Sequence, residues 1–218
     1  MSGYSAKAQP YLNAIAESVF TSQEVRDWLI KGTPMEANYL GSDVLIAEQE
    51  AVRWAKRRTK QPCWANYFCG LDSRCTCRIE GSKSLESDAI FFFRNRQPTK
   101  KHEGDSSRVL AVHIEFKHPR EPFKFGQPEG YPLRAACFVK THQMRETLNE
   151  HHDWTTVIFC DAESVLDQRV LSNFQRRITH DEAAGLIGGY PTDWKWAPRQ
   201  FQQNNRQTDC GRSERRQE

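Results

Sequence analysis

Apolar and polar positions alternate most clearly between residues 85 and 117. Leu85 to Phe93 contains Phe91-Phe92-Phe93, and Val109 to Lys117 reads Val-Leu-Ala-Val-His-Ile-Glu-Phe-Lys. Both are rich in β-branched and aromatic residues, which fit a pleated, packed surface, and are expected as strands. Side chains alternate across a strand. Leu110, Val112, Ile114 and Phe116 therefore share one face, and Val109, Ala111, His113, Glu115 and Lys117 share the other. Residues 64 to 79 predict one or two shorter strands that take in Cys75 and Cys77, and Trp154 to Cys160 predicts another. Helical spacing appears at Ser18 to Lys31, and again behind the cap Ser42 to about Arg58, where Val44, Ala47, Ala51 and Ala55 share a face. Further helices are expected from Tyr131 to about Asn149, with Pro132 in the first turn, and from Ala162 to about Arg177. The chain is thus of the α/β (α+β) class. It divides into a helical lead-in over 1–41, a core over 42–180, an extension packing on that core over 181–199, and a tail over 200–218 expected to be disordered.

Composition narrows the function classes. Of 218 residues 38% are hydrophobic and 27% charged, with 12 Phe, 6 Trp and 6 Tyr, a balance that suits a folded domain with a real core. No stretch approaches the ~18 apolar residues of a membrane span, and the N-terminal residues lack a basic start followed by an apolar run. A cytoplasmic chain without a membrane partner is expected. The net charge of +3 decides nothing about nucleic acid. Arg53 to Arg58, Lys100-Lys101 and Arg176-Arg177 are candidate phosphate contacts. Four of the seven cysteines run Cys63-x5-Cys69-x5-Cys75-x-Cys77, without the paired C-x2-C spacing of common zinc sites. They are expected as buried thiols that share no metal, and His151-His152-Asp153 as a surface turn.

One acid stands at the mouth of an apolar strand. Glu86-Ser87-Asp88 opens onto Ala89-Ile90-Phe91-Phe92-Phe93, and a lone carboxylate there would be costly without a partner. Twenty-seven residues later comes Glu115-Phe116-Lys117, a carboxylate and an ammonium on one face of the next strand. An acid opening one strand and (D/E)-x-K on the following one resembles the PD-(D/E)xK nuclease superfamily, with Ser87 where the family name has proline. The resemblance implies a restriction-endonuclease-like core, a central mixed β-sheet flanked by helices in the order α-β-β-β-α-β.

The resemblance also implies chemistry. Asp88, Glu115 and the Phe116 carbonyl would hold Mg²⁺, or Mn²⁺ in its place, since hard cations take oxygen ligands. Lys117 would orient the attacking water and stabilise developing negative charge. A further acid often enters such sites from the first helix; Glu48 and Glu50 compete, and helical spacing favours Glu48. Gln127-Pro128-Glu129-Gly130-Tyr131 matches the Q-x-x-x-Y signature of the RecB- and Cas4-like branch. Its prolines and glycine oppose the helix on which that signature normally sits, so Gln127 is expected to reach the site from a loop. That branch's iron–sulfur cysteines, one early and three late, do not correspond to the run of four here, and neither zinc nor an iron–sulfur cluster is expected. The implied function is a Mg²⁺-dependent DNA endonuclease of restriction, mobile-element or repair type. It would act on double-stranded DNA as a homodimer. The alternatives are a catalytically silent nucleic-acid-binding module on the same fold, or a zinc-stabilised structural or interaction protein using Cys63 to Cys77.

Overall fold

In the computed structural model the residues described are 7–54, 61–69, 75, 77–83, 86–96, 108–141 and 148–193. The two strongest sequence patterns form the centre of a six-stranded mixed sheet. Strand β3 (Glu86–Arg94) pairs antiparallel with β4 (Val109–Phe116), from Ala89↔Ile114 to Arg94↔Val109. β5 (Asp153–Cys160) runs parallel to β4, and β6 (Arg176–Thr179) parallel to β5. β1 (Asp43–Val44) and β2 (Ala65–Phe68) divide the outer edge of β3 between them, at its C-terminal and N-terminal ends.

Every residue of β4 is buried, because both faces of the sheet are covered. Leu110, Val112, Ile114 and Phe116 fall on one face, as the alternation predicts. There they pack with Ile15 and Val19 of α1 (Gln9–Thr21), Leu29 and Ile30 of α2 (Gln23–Ile30) and Tyr39 of the short α3 (Glu36–Tyr39). Burying each such side chain is worth about 1.5–3 kcal/mol over leaving it exposed. α5 (Gln127–Thr141) covers the opposite face, where Cys137 and Phe138 meet Ile90, Phe92 and Ala111.

Four expectations are revised. The helix expected from Ser42 is α4 (Ile46–Trp54), and its buried side is not the alanine face. Ala47 and Ala51 are exposed, while Gln49 and Arg53 are buried. Polar anchors outweigh small apolar side chains here: Gln49 Nε2 donates to Tyr67 OH and to the Ile90 carbonyl, both at 2.7 Å, and an Arg53 Nη donates to the Ala65 carbonyl at 2.5 Å. Of residues 64 to 79 only β2 is a strand among the described residues; Cys75 and Cys77 lie in chain without regular structure. The helix expected over 162–177 gives way to α6 (Gln168–Asn173) followed by β6. Parallel pairing with β5 satisfies that backbone and lets Ile178 enter the core.

The fourth revision is α5, which starts at Gln127 in spite of Pro128, Gly130 and Pro132. Pro128 lies in the first turn, where N–H groups have no intrahelical acceptor to lose. Gly126, at φ +68°, lets the chain turn into the helix, and Gly130 N–H bonds its carbonyl at 3.0 Å. Among the described residues no helix is long and apolar enough to cross a membrane. The tail over 200–218, Lys100-Lys101 and most of the basic run before Pro62 lie outside the described residues.

Candidate functional site

Glu115 near the end of β4 and Lys117 just beyond it have side chains only 2% exposed. Lys117 Nζ lies 3.3 Å from Glu115 Oε1, 2.8 Å from Gln127 Oε1 and 3.3 Å from Glu121 Oε1. An ammonium has three donors, so these three acceptors use its capacity. Gln127 is the hinge of the cluster. Its Nε2 donates to Glu115 Oε1 at 2.6 Å while its Oε1 also accepts from the Lys124 backbone N–H at 3.1 Å. One helical turn on, Tyr131 OH donates to Glu115 Oε2 in a short hydrogen bond. Gln127 and Tyr131 stand at i and i+4, so one face of α5 presents both.

Asp88 enters from β3. The backbone ladder between β3 and β4 stops at Ala89↔Ile114, and one residue earlier the Asp88 carboxylate takes its place, accepting from the Phe116 backbone N–H at 2.8 Å. Burial, and then the nearby negative charge of Glu115, push Asp88 well above the ordinary carboxylate range; the Phe116 N–H and the Lys117 charge only partly oppose this. Burial also raises Glu115, against the opposing influence of Lys117, Tyr131 and Arg134. The two carboxylates thus act on each other electrostatically, and the Lys117 charge only partly offsets the cost.

The other candidates fall in and around this cluster. Phe116 lies between Glu115 and Lys117, its ring in the core and its N–H on Asp88. Glu48 is exposed and pairs with Arg94 at 3.2 Å. Arg94 lies six residues along β3 from Asp88, about 20 Å of strand, so Glu48 is not brought to the cluster. Gln127 reaches the site from a helix rather than a loop. Tyr131 and Glu121 belong to the cluster beyond the candidates expected from sequence. Spacing from Gln127 is the signal for Tyr131; Glu121, in an irregular segment, carries none. His113 is buried, stacked on Phe138 with Nδ1 3.2 Å from Ser87 Oγ, and burial lowers its pKa well below the usual value. His151 is buried, and Asp153 binds Arg108 and Tyr39, so this stretch is no surface turn.

Comparison with protein families, with curated proteins and with solved structures finds no match to this chain. The chemistry must therefore be read from the residues themselves.

A second constellation lies on the α5 side of the sheet. The sulfurs of Cys69, Cys75, Cys77 and Cys137 all lie within 4.8 Å of one another. The separations are 3.0 Å for Cys69–Cys75, 3.1 Å for Cys69–Cys77, 2.9 Å for Cys75–Cys77, 3.5 Å for Cys75–Cys137 and 3.6 Å for Cys69–Cys137. Cys63 is not in this group; it packs with Trp64 and Ala65 in the core on the other face. Burial pushes the Cys63 thiol up to about 11 and that of Cys160 to about 12. At Cys75 burial acts in the same direction, but hydrogen bonds from Cys77 and Cys69 outweigh it and bring the thiol down to about 6. The sequence run of four thus supplies three members. The fourth, Cys137, comes from α5, some sixty residues beyond Cys77, where no local spacing could point to it.

Proposed function

We propose that the chain is a metal-dependent phosphodiesterase that cuts DNA, on a restriction-endonuclease-like core of the PD-(D/E)xK kind. The observation that carries this reading is the cluster of Glu115, Lys117 and Gln127 at the end of β4, with Asp88 of the adjacent strand bonded to the intervening Phe116 N–H. The donor set suits a hard cation: two carboxylates and the Phe116 carbonyl are oxygen ligands, and a cation there would relieve the burial and the Glu115 charge that raise Asp88. A bound Mg²⁺ or Mn²⁺ would neutralise the phosphate and lower the pKa of a water. Gln127 and Tyr131 hold the Glu115 carboxylate in one orientation through both of its oxygens. Lys117 offers its ammonium to the attacking water or to the developing negative charge. Glu121 is the partner it would release, because that side chain is 41% exposed whereas Glu115 is buried. Double-stranded DNA is the proposed substrate, and a homodimer the arrangement that would cut both strands.

A second reading, a silent nucleic-acid-binding module, is favoured by one observation: protein acceptors already occupy Lys117. Supercoiled plasmid separates the two. With Mg²⁺ added the wild-type chain should nick or linearise it, with no divalent cation it should not, and Asp88→Asn should be inactive under both conditions. Retention of plasmid in a gel without any cleavage supports the silent module. Cleavage at the wild-type rate by folded Asp88→Asn overturns the assignment of the site.

A further inference from the structure

The phosphodiesterase reading makes no use of the four clustered cysteines, and their geometry stands independently of it. Three of the sulfurs come from chain with no regular structure after β2, and the fourth from the middle of α5. Cys69, Cys77 and Cys137 are buried and Cys75 is half-buried. No disulfide joins them: the five separations above, 2.9 to 3.6 Å, are well beyond the ~2.05 Å of a disulfide. Thiols are weak donors and weak acceptors. Their mutual hydrogen bonds give little reason for side chains from separate parts of the chain to converge on one point.

A single metal ion does give a reason. Zinc binds thiolate sulfur at about 2.3 Å in a tetrahedron, whose edges are then about 3.8 Å long. The separations from Cys137, 3.5 and 3.6 Å, are close to that edge, and the three shorter ones need to open by less than an ångström. An iron–sulfur cluster of several irons would spread the four thiolates over different atoms. Sulfurs all within 4.8 Å of one another suit one ion. Soft sulfur ligands also exclude the hard cations that Asp88 and Glu115 would take.

We propose that Cys69, Cys75, Cys77 and Cys137 bind one Zn²⁺ in a closed structural site. Four protein ligands complete the tetrahedron and leave no position for a substrate. The ion clamps the irregular segment from Cys77 to Lys83 onto α5. The other end of that segment is already seated on the start of the same helix. Ser82 Oγ donates to the Phe125 carbonyl at 2.9 Å, and a Cβ on Gly126 would come 2.9 Å from Ser82 Cβ. A stretch without secondary structure or a core of its own gains order from such a cross-link, because binding energy released only in the folded chain is folding energy. The clamped helix is the one that carries Gln127 and Tyr131 to Glu115.

The full chain, expressed with zinc in the medium and purified without chelator, should contain about one zinc per chain and no acid-labile sulfide. Replacing zinc by Co²⁺ should give thiolate-to-cobalt charge-transfer bands and the intense visible bands of a tetrahedral site. Cys137→Ser and Cys75→Ser should lose the metal, and Cys63→Ala and Cys160→Ala should keep it. If either serine variant fails to fold, Co²⁺ titration of the wild-type chain stripped of metal decides alone. Absence of zinc together with absence of cobalt bands overturns the proposal. So does stoichiometric zinc in Cys137→Ser, iron or labile sulfide in place of zinc, or a Cys69–Cys75 or Cys75–Cys77 disulfide in the freshly purified chain.

Discussion

The carboxylate of Asp88 is the residue at which stability and activity should part company. Its folded pKa is raised, by burial and by Glu115, so the ionised form is costlier in the folded chain than in the unfolded one. Stability is therefore lost as pH rises above the unfolded value of about 3.9. Asp88→Asn keeps an acceptor for the Phe116 N–H and removes the charge. In buffer free of divalent cations at pH 8 it should melt higher than wild type, and with Mg²⁺ added it should cut no DNA. A lower Tm for this variant would contradict the electrostatic account. Tyr131→Phe removes a donor to buried Glu115, a bond to a charged group worth about 1.5–3 kcal/mol. It should lower the Tm and slow cleavage roughly 10-fold or more, if Glu115 must be held in one orientation. Glu48→Ala, by contrast, breaks only an exposed pair with Arg94. Such pairs are worth about 0–1 kcal/mol, so cleavage should stay near the wild-type rate. In the sequence, strand alternation places Glu115 and Lys117 on one face, and Asp88 stands out as the acid at the mouth of an apolar strand. It misplaces Glu48 because α4 is turned by Gln49 and Arg53, whose buried hydrogen bonds leave no trace in hydrophobic periodicity.

Helix boundaries depend on their end groups. α7 (His180–Leu186) begins in a capping box: Thr179 Oγ1 accepts from the Glu182 backbone N–H at 3.2 Å, and Glu182 Oε2 accepts from the Thr179 backbone N–H at 2.7 Å. Thr179→Ala should cost about 1 kcal/mol in chemical denaturation, within the usual range for a lost cap. The start of β5 is fixed by charge. Asp153 accepts from Tyr39 OH at 2.6 Å and from Arg108 at 2.9 and 3.0 Å. Burial would raise the Asp153 pKa, but these bonds prevail and hold it below the ordinary range. A depressed carboxylate contributes stability that is present above its unfolded pKa of about 3.9 and is lost as pH falls through the lower folded value. Asp153→Asn should therefore destabilise the chain at pH 7 and by progressively less in acid, which a Tm series from pH 7 to pH 3 would read. The start of α5 is hidden in the sequence for a related reason. Its prolines argue against a helix interior, but Pro128 lies in the first turn, where the missing donor costs little. Gly126, at φ +68°, supplies the left-handed turn into the helix, and its lack of a Cβ makes room for Ser82.

At the scale of the whole molecule, the central strands are legible in the sequence and the pairing beyond them is not. β3, β4 and β5 announce themselves by runs of β-branched and aromatic residues. β6 carries two arginines in four residues and is a strand only because β5 offers it a parallel edge. β1, two residues long, likewise exists only as a partner for the end of β3. The same limit hides the cysteine cluster, whose fourth member depends on α5 lying across the face that carries Ile90 and Phe92.

The segment beside α5 also doubles back on itself. The Ser82 N–H bonds the Ile79 carbonyl at 3.0 Å, and Gly81 between them stands at φ +76°. A left-handed backbone suits glycine and strains any residue with a Cβ. The bend delivers Ser82 to the Phe125 carbonyl. Gly81→Ala should therefore lower the Tm and loosen that end of the segment, at a cost of about 1 kcal/mol. Arg78→Ala, at an exposed position before the bend, should leave the Tm unchanged. Thermal melts of the two variants would tell backbone shape from side-chain composition.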